Sequence, residues 1–461
     1  MSVTLLTSTD PIAESVAPDV ATRQQSRMQG PLHPSLYDTS DWQNRWWYVN
    51  APAWEGPPPL DSDEVADVVI IGGGFAGLST AIGLAERGIG AAVLDAAEIG
   101  WGSSGRNGGI VGYGSYKRSE DAMVAAFGQA EMDRYHGALR DGIARTRAFA
   151  EENGVPVQGE AELILAHSDK ALAALQAGRI RASETKTPFA PDPHAPMARL
   201  GGIYIGPCFG IQPLMYVRAL ADRAMELGVK VYPQSEVLRW HRGGGRHRME
   251  TAGGSVTADK AVLAANGFMP DNLHPELAAR AVPVISQIGV TRRLTNAERD
   301  ANPWLDDNPV ATTKNLLYYL RLLPEGRLLF GQRDAATGSP ANRAAGRASI
   351  RENIAAAFAG MEEIEIDYHW NGPICATRDL KPSVGALPDD PSVFHAFAWH
   401  GSGINAAQTA GRLLAEVIVT GDQTALPAPL RGLPPKVPLP SWRPLWVRLA
   451  IARQQVQDLF N

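Results

Sequence analysis

Cysteine is almost missing: the 461 residues contain two, Cys208 and Cys375. So few thiols exclude a disulfide framework and a cysteine-built metal site, and no metal is expected. Excess positive charge is missing too. Lys and Arg number 43 against 49 Asp and Glu, a formal net charge of −6, so the chain carries no electrostatic footprint for nucleic acid. No apolar run has the length of a membrane span. The N-terminal residues lack the basic and apolar segments of a secretory signal, and a cytoplasmic location is the expectation. What is present is ordinary for a globular protein, 44% hydrophobic and 20% charged. The length allows two or three domains with a large core.

One stretch organises the rest. Val68, Val69, Ile70 and Ile71 form the short apolar run of a strand buried on both faces. Gly72, Gly74 and Gly77 follow at G-x-G-x-x-G spacing, and LSTAIGLAERG reads as a helix over 78–88 with Gly88 as its stop. Gly72 permits the tight turn, Gly74 lets backbone approach a pyrophosphate, and Gly77 lets helix and sheet pack closely. Free N–H groups at the helix start then face phosphate charge. A second strand, AAVLD, ends at Asp95, where a carboxylate accepts from ribose hydroxyls. Strand, glycines, helix, strand and acid in that order predict a βαβ dinucleotide site. The acid favours FAD or NAD over NADP.

A second glycine-rich loop, EIGWGSSGRNGGIVGYG, follows Asp95. It suits wrapping a flat polar ligand, with Arg106 as a charge partner for phosphate. Before the first strand, Trp42, Trp46, Trp47, Tyr48 and Trp54 crowd into one segment that needs a surface to cover. A strap over the body is expected; a substrate lid or dimer contact is the alternative. The chain before it is rich in Pro, Ser and Asp and is expected to begin disordered.

Residues 119–154 read as a helical pair, 171–184 as a helix and 213–228 as a clear helix opened by Pro213. ARAVPVISQIGVTRRL and NLLYYLRLLPEGRLLFGQRD alternate like strands, the latter split by a Pro-Glu-Gly turn. Antiparallel strands inserted into an α/β chain predict a sheet roofing the ligand. HGSGINAAQTAGRLLAEVIVTG repeats the opening logic of glycine turn and helix N-terminus. After a proline-rich linker, Leu445, Leu449, Ala452, Val456 and Leu459 share one helical stripe. It is expected to pack on the body rather than on a membrane, because its polar face mixes Arg, Gln and Asp.

VVIIGGGFAGLSTAIGLAERG…VLDAAEIGWGSSGRNGG, VLAANGF and WNGPICATRDLKPSVGAL…FAWHGSGINAAQTAG together resemble the FAD-dependent D-amino-acid oxidase and glycine oxidase superfamily. AVPVISQ and YYLRLLPEGRLLFGQR bring the resemblance nearest to γ-glutamylputrescine-oxidase-like amine oxidases. The resemblance implies an α/β fold: a Rossmann-like FAD-binding domain, discontinuous in sequence, with an inserted α+β substrate domain on a mostly antiparallel sheet. The expected bounds are 65–118, 210–267 and 370–424 for the FAD-binding domain and 119–209 and 268–369 for the substrate domain. Residues 1–64 form an N-terminal extension, and 425–461 the linker and C-terminal helix.

The same resemblance places non-covalent FAD against Gly72, Gly74, Phe75, Ala76, Gly77, Asp95 and Ala96. It continues along Trp101, Gly102, Ser103, Ser104, Arg106, Asn107, Gly108, Gly109 and Ile110. Val237 would meet adenine, with Ala265, Gly267 and Gly372 around the ring system. Gly401, Ser402, Gly403 and Ile404 would put a helix N-terminus at the flavin pyrimidine. Trp399 stands where relatives commonly carry tyrosine, and His400 is displaced from their histidine.

The implied reaction is oxidation of a C–N bond: hydride passes to flavin N5, the imine hydrolyses, and oxygen is reduced to hydrogen peroxide. Trp101, Tyr318, Tyr319, Trp370 and Trp399 are candidate aromatic walls, each equally at home in the core. His400 reads as a proton acceptor or as a hydrogen-bonded turn residue, and Lys381 as a holder of water near N5 or a solvated lysine. Arg321 or Arg333 could clamp a substrate carboxylate. Cys375 is either a flavin attachment point or a small buried hydrophobe. Competing readings are a dehydrogenase passing electrons to a quinone or carrier with its C-terminal helix touching the membrane, a biosynthetic tailoring flavoenzyme, and a non-enzymatic flavin binder. The partners implied are a small amine or amino acid and an electron acceptor.

Overall fold

The computed structural model describes residues 32–39, 42–178, 185–335 and 337–460. The disordered beginning expected of the chain, and the end of the helix expected over 171–184, lie outside the described residues. Val68–Ile71 is buried throughout, which places it mid-sheet. It closes the strand Glu64–Ile71, paired in parallel with Ala91–Leu94 on one side and Ser255–Leu263 on the other. Lys230–Tyr232 and Asp390–Phe397 extend this parallel set at its two ends. Ile71 lies level with Leu94 and Leu263, so the strand C-termini share one edge, where such sheets bind ligands.

The helix after the first strand is Phe75–Ala85, one turn earlier than the expected 78–88, because extended Gly74 is its N-cap. It lies against helix Gly403–Thr420 almost backbone to backbone. A Cβ on Gly411 would come 2.5 Å from the Ala76 carbonyl oxygen. Helix Pro213–Glu226 starts at Pro213, and the Gln212 side chain accepts from the N–H groups of Leu214 and Met215. The helical pair is Glu120–Phe127 and Gln129–Glu152. Rather than joining the substrate side as expected, it packs on the nucleotide side. The Asn405 amide there donates to the Leu139 carbonyl at 2.9 Å.

The second sheet runs in the order Ile366–Ala376, Val282–Arg293, Arg327–Ala335, Tyr319–Leu322, Val310–Thr312, Glu162–Leu165, Gly202–Gly206, Thr185–Phe189. All its pairings are antiparallel except Val310–Thr312 with Glu162–Leu165. Helix Pro340–Ala357 covers its outer face through Ile350 and Ile354. Ile366–Ala376 is its edge strand, so the chain rejoins the first sheet at Ser383 rather than at 370. The fold is thus an α/β nucleotide-binding unit carrying an inserted, mostly antiparallel sheet.

The aromatic segment straps the body. Trp42, Trp46 and Trp47 are buried, and the Trp47 indole donates to the Asn107 carbonyl at 2.8 Å. The C-terminal helix, Arg443–Phe460, corrects an expectation. It docks through Val447 and Ile451 against Val282, Val284 and Leu316, while Leu445, Leu449 and Val456 of the expected stripe face outward. Among the described residues no helix is long and apolar enough to cross a membrane.

Candidate active site

One elongated cavity of about 640 Å³ lies between the two sheets, within the size range of ligand sites. Both glycine turns open into it. Gly72, Gly74, Phe75 and Ala76 line one part, and Gly401, Ser402, Gly403 and Ile404 another. Two helix N-termini therefore aim at one space, each favouring negative charge. Gly72 has φ +110°, and a Cβ there would lie 2.8 Å from the Ala264 carbonyl oxygen, so the turn requires glycine. On Gly77 a Cβ would lie 1.9 Å from the Gly72 carbonyl oxygen. Gly77 accordingly holds the turn from behind and does not line the cavity.

Asp95 and Ala96 line the cavity. The Gly73 N–H donates to Asp95 Oδ2 at 2.7 Å, and the Ala97 N–H to Oδ1 at 2.9 Å. Burial outweighs these bonds and pushes the Asp95 carboxyl up to about 6. Each oxygen keeps a second lone pair for a ligand hydroxyl. Further along, Val237 and Ala265 line the same end.

The second glycine-rich loop forms one wall through Trp101, Gly102, Ser103, Ser104, Arg106, Asn107, Gly108 and Ile110. Its side chains mostly hold the loop itself. Ser104 Oγ accepts from the Phe75 N–H, and the Asn107 amide donates to the Ser103 and Ser104 carbonyls. Arg106 stacks 4.1 Å over Trp101 and donates to the carbonyls of Trp101 and Asn371. Nε and Nη1 are thus engaged by backbone oxygens, a bracing role in place of the phosphate contact expected of them. Gly372 lies against the Arg106 side chain, which a Cβ there would meet at 3.1 Å.

The roof sheet supplies the opposite wall. Ser286, Ile288, Tyr319 and Arg333 line it, with Ala311, Leu317 and Trp399 nearby. Tyr319 and Ser286 share a hydroxyl hydrogen bond of 2.9 Å, and burial raises the Tyr319 pKa, so its proton stays on. Arg333 differs from Arg321 in its Nη groups. The Nε of each is buried without a hydrogen-bond partner, but Arg333 lines the cavity and its Nη2 contact to the His400 carbonyl is long at 3.5 Å. Burial works against its charge. Cys375 also lines the cavity, but burial pushes its thiol up to about 12, which leaves it a poor nucleophile.

Several expected residues lie elsewhere. His400 is buried with φ +50°. Its Nδ1 bonds to the Ser115 carbonyl at 3.0 Å, and the Thr377 N–H donates to Nε2 at 3.2 Å. Burial lowers its pKa to about 4. With both ring nitrogens engaged by backbone, it is a turn-fixing residue and not a proton acceptor. Lys381 is neither in the cavity nor solvated: its ammonium donates to the Arg431 carbonyl at 2.8 Å. Tyr318 points to the other face of its strand, against Phe330. The Trp370 indole donates to the Arg106 carbonyl at 2.8 Å. Arg321 spends its two Nη groups on the carbonyls of Gly108, Gly109 and Ile211 and on Gln158. It braces the loop and is no substrate clamp. Gly109 (φ +72°) and Gly267 lie behind the wall against Ile211 and Pro373.

Sequence reasoning missed Ser286, Ile288 and Leu317. The period-two alternation of strand Val282–Arg293 puts residues 282, 284, 286 and 288 on one face, and that signal could have found the first two. Asn266 was missed as well; it holds φ +48° and accepts from the Ala398 N–H at 3.0 Å, tying the two strand ends below the cavity.

The pattern of the family described as FAD dependent oxidoreductase matches residues 67–417. "Probable oxidoreductase OrdL" of Rhizobium meliloti is 30% identical over 417 residues, covering 86% of this chain and 91% of that protein. Gamma-glutamylputrescine oxidoreductase of Escherichia coli is 30% identical over 380 residues, covering 78% and 85%. Among solved structures, glycine oxidase from Geobacillus kaustophilus superposes with a TM-score of 0.66 at 21% identity, covering 80% of this chain and 98% of that one.

Proposed function

The chain belongs to the FAD-dependent oxidoreductase family and takes FAD as its cofactor; from that premise we propose that it oxidises the C–N bond of a small amine that also carries a carboxylate. The residues present fit the cofactor. Two helix N-termini, a glycine turn that a Cβ would block, and an acid with spare lone pairs all meet in one long cavity. When bound, FAD supplies the acceptor for the substrate's α-hydrogen.

Arg333 is the observation that carries the substrate reading. Its guanidinium lines the cavity and is held within the chain by one long contact to the His400 carbonyl, and a cation so placed is costly unless a ligand supplies the anion. A substrate carboxylate does so, in the two-point geometry that suits arginine. The walls from Ile288, Ala311, Leu317 and Trp399 exclude water and take up the apolar part of the substrate. Tyr319, fixed by Ser286, offers a protonated hydroxyl at a set position. The N-terminus of helix Gly403–Thr420 favours negative charge at the adjoining wall. His400, neutral and doubly bonded, shapes the Gly401 turn and exchanges no proton. The imine product hydrolyses in water, and oxygen is the electron acceptor in this reading.

Anaerobic bleaching of the flavin band tests it. Amino acids should bleach the holoenzyme, and their decarboxylated amines should do so ten- to hundredfold less well. Arg333→Met should abolish that preference, since a hydrogen bond to a charged group is worth about 1.5–3 kcal/mol. Equal bleaching by both series would overturn the carboxylate reading. Peroxide release during turnover in air separates oxygen from another acceptor.

A further inference from the structure

We infer that the outer face of the C-terminal helix docks this protein on an anionic lipid surface. The inference is independent of which substrate is oxidised. Trp442, Trp446, Leu449 and Val456 are 52%, 43%, 54% and 52% exposed, and Leu439 and Leu445 join them. Positions 442, 445, 446, 449 and 456 fall on one side of a helix. Most of the large exposed hydrophobic side chains of the described residues gather in this one stretch.

The helix is not loosely attached. At its start the buried Arg443 pairs with Asp271 at 2.7 Å. In its middle Val447 and Ile451 sit on Val282, Val284 and Leu316. At its far end the Asp458 carboxylate accepts from the Asn315 N–H, the Asn315 amide and the Leu316 N–H. These anchors fix the apolar stripe outward, and a contiguous exposed patch of this kind marks an interaction surface.

Charge decides between the occupants. Arg448 is exposed beside the stripe and Arg453 within it, one turn after Leu449, and among the described residues neither pairs with a carboxylate. Asp458, the helix's acid, is turned inward to Asn315. A second copy meeting this face symmetrically would set arginine against arginine with no acid between them. Lipid phosphates supply the missing anion. Indoles also favour the membrane boundary, where a flat apolar ring with one polar edge is at home.

The position has a consequence for access. Val282 and Val284 lie under the helix, and Ser286 and Ile288 of the same strand face line the cavity. Leu316 touches the helix and Leu317 the cavity. Docking therefore brings the roof-sheet end of the cavity beside the lipid.

Flotation of the FAD-loaded protein with vesicles is the test, using phosphatidylcholine alone and phosphatidylcholine mixed with phosphatidylglycerol. The mixed vesicles should carry the protein, with binding weakened by salt. Arg448→Glu and Arg453→Glu should each weaken it about fivefold or more, since one basic residue near such a surface contributes about a factor of five. Trp446→Glu and Leu449→Glu should abolish it, while flavin content and melting temperature stay unchanged because both positions face solvent. The inference fails if the wild type ignores the mixed vesicles, or if Leu449→Glu floats as well as the wild type. It also fails if sedimentation without lipid shows a dimer that Leu449→Glu turns into monomer.

Discussion

With FAD seated against Asp95, as proposed, cofactor affinity should depend on pH. In the protein by itself, burial pushes this carboxyl from 3.8 up to about 6, against two backbone N–H bonds that favour the charged form. Hydroxyl donors from a bound nucleotide would add to those bonds and lower the pKa again. The sign follows from proton counting. Below about pH 6 the cofactor-free protein holds a proton that binding must release, so affinity falls as the solution is acidified. If the bound value returns to the ordinary 3.8, affinity at about pH 4.5 is about thirtyfold weaker than at about pH 7.5, or about 2 kcal/mol. Quenching of flavin fluorescence on titrating apoprotein with FAD measures this directly. Asp95→Asn should bind more weakly at neutral pH and lose the acid-side slope. An unchanged slope in Asp95→Asn would refute the reasoning, as would flat affinity across that range in the wild type.

Two other substitutions separate bracing from chemistry. Arg321→Met should cost about 3–5 kcal/mol in urea unfolding, because it strips the donors from three buried carbonyls and Gln158; a near-neutral result would show that the loop is held otherwise. His400 has its pKa lowered from 6.5 to about 4, so the stability its neutral form contributes is lost as pH falls from 6.5 towards 4. His400→Asn, a residue that tolerates positive φ, should remove about 2 kcal/mol of the stability difference between about pH 7 and pH 5, while the activity profile above about pH 6 keeps its shape. Unfolding curves at the two pH values check the first part, and steady-state rates the second.

The nucleotide half of the site was legible because its signals are local. Val68–Ile71, the three glycines and Asp95 lie within one βαβ unit, where each residue's task follows from spacing alone. The helix began at Phe75 rather than Leu78 because Gly74 caps it in an extended conformation, a detail hidden inside the glycine run. The substrate half depends on pairings between distant segments. His400 and Lys381 looked reactive by residue type, yet the carbonyls of Ser115 and Arg431 that engage them are far away in sequence. The C-terminal helix is a further case. Its sequence shows two apolar faces, and only the position of Val282 and Val284 decides which is covered.

Arg321 and Arg333 show how little separates a brace from a binding group. Both lie on neighbouring strands of the roof sheet, and cross-strand register sets Tyr319 opposite Gly331 and Arg321 opposite Leu329. Side chains alternate along each strand, so Tyr319, Arg321, Gly331 and Arg333 all leave the same face, while Tyr318 leaves the other. What differs is the material beneath. Under Arg321 the loop at Gly108–Gly109 and the Ile211 carbonyl crowd in close enough to take its donors. Under Arg333 there is open cavity. Gly331 widens the gap, since a Cβ there would strike the Tyr319 ring at 2.0 Å. In the proposed reading, selectivity for a carboxylate rests on a difference in what fills the space below two similar arginines, and on a glycine that leaves room for the tyrosine ring beside the second.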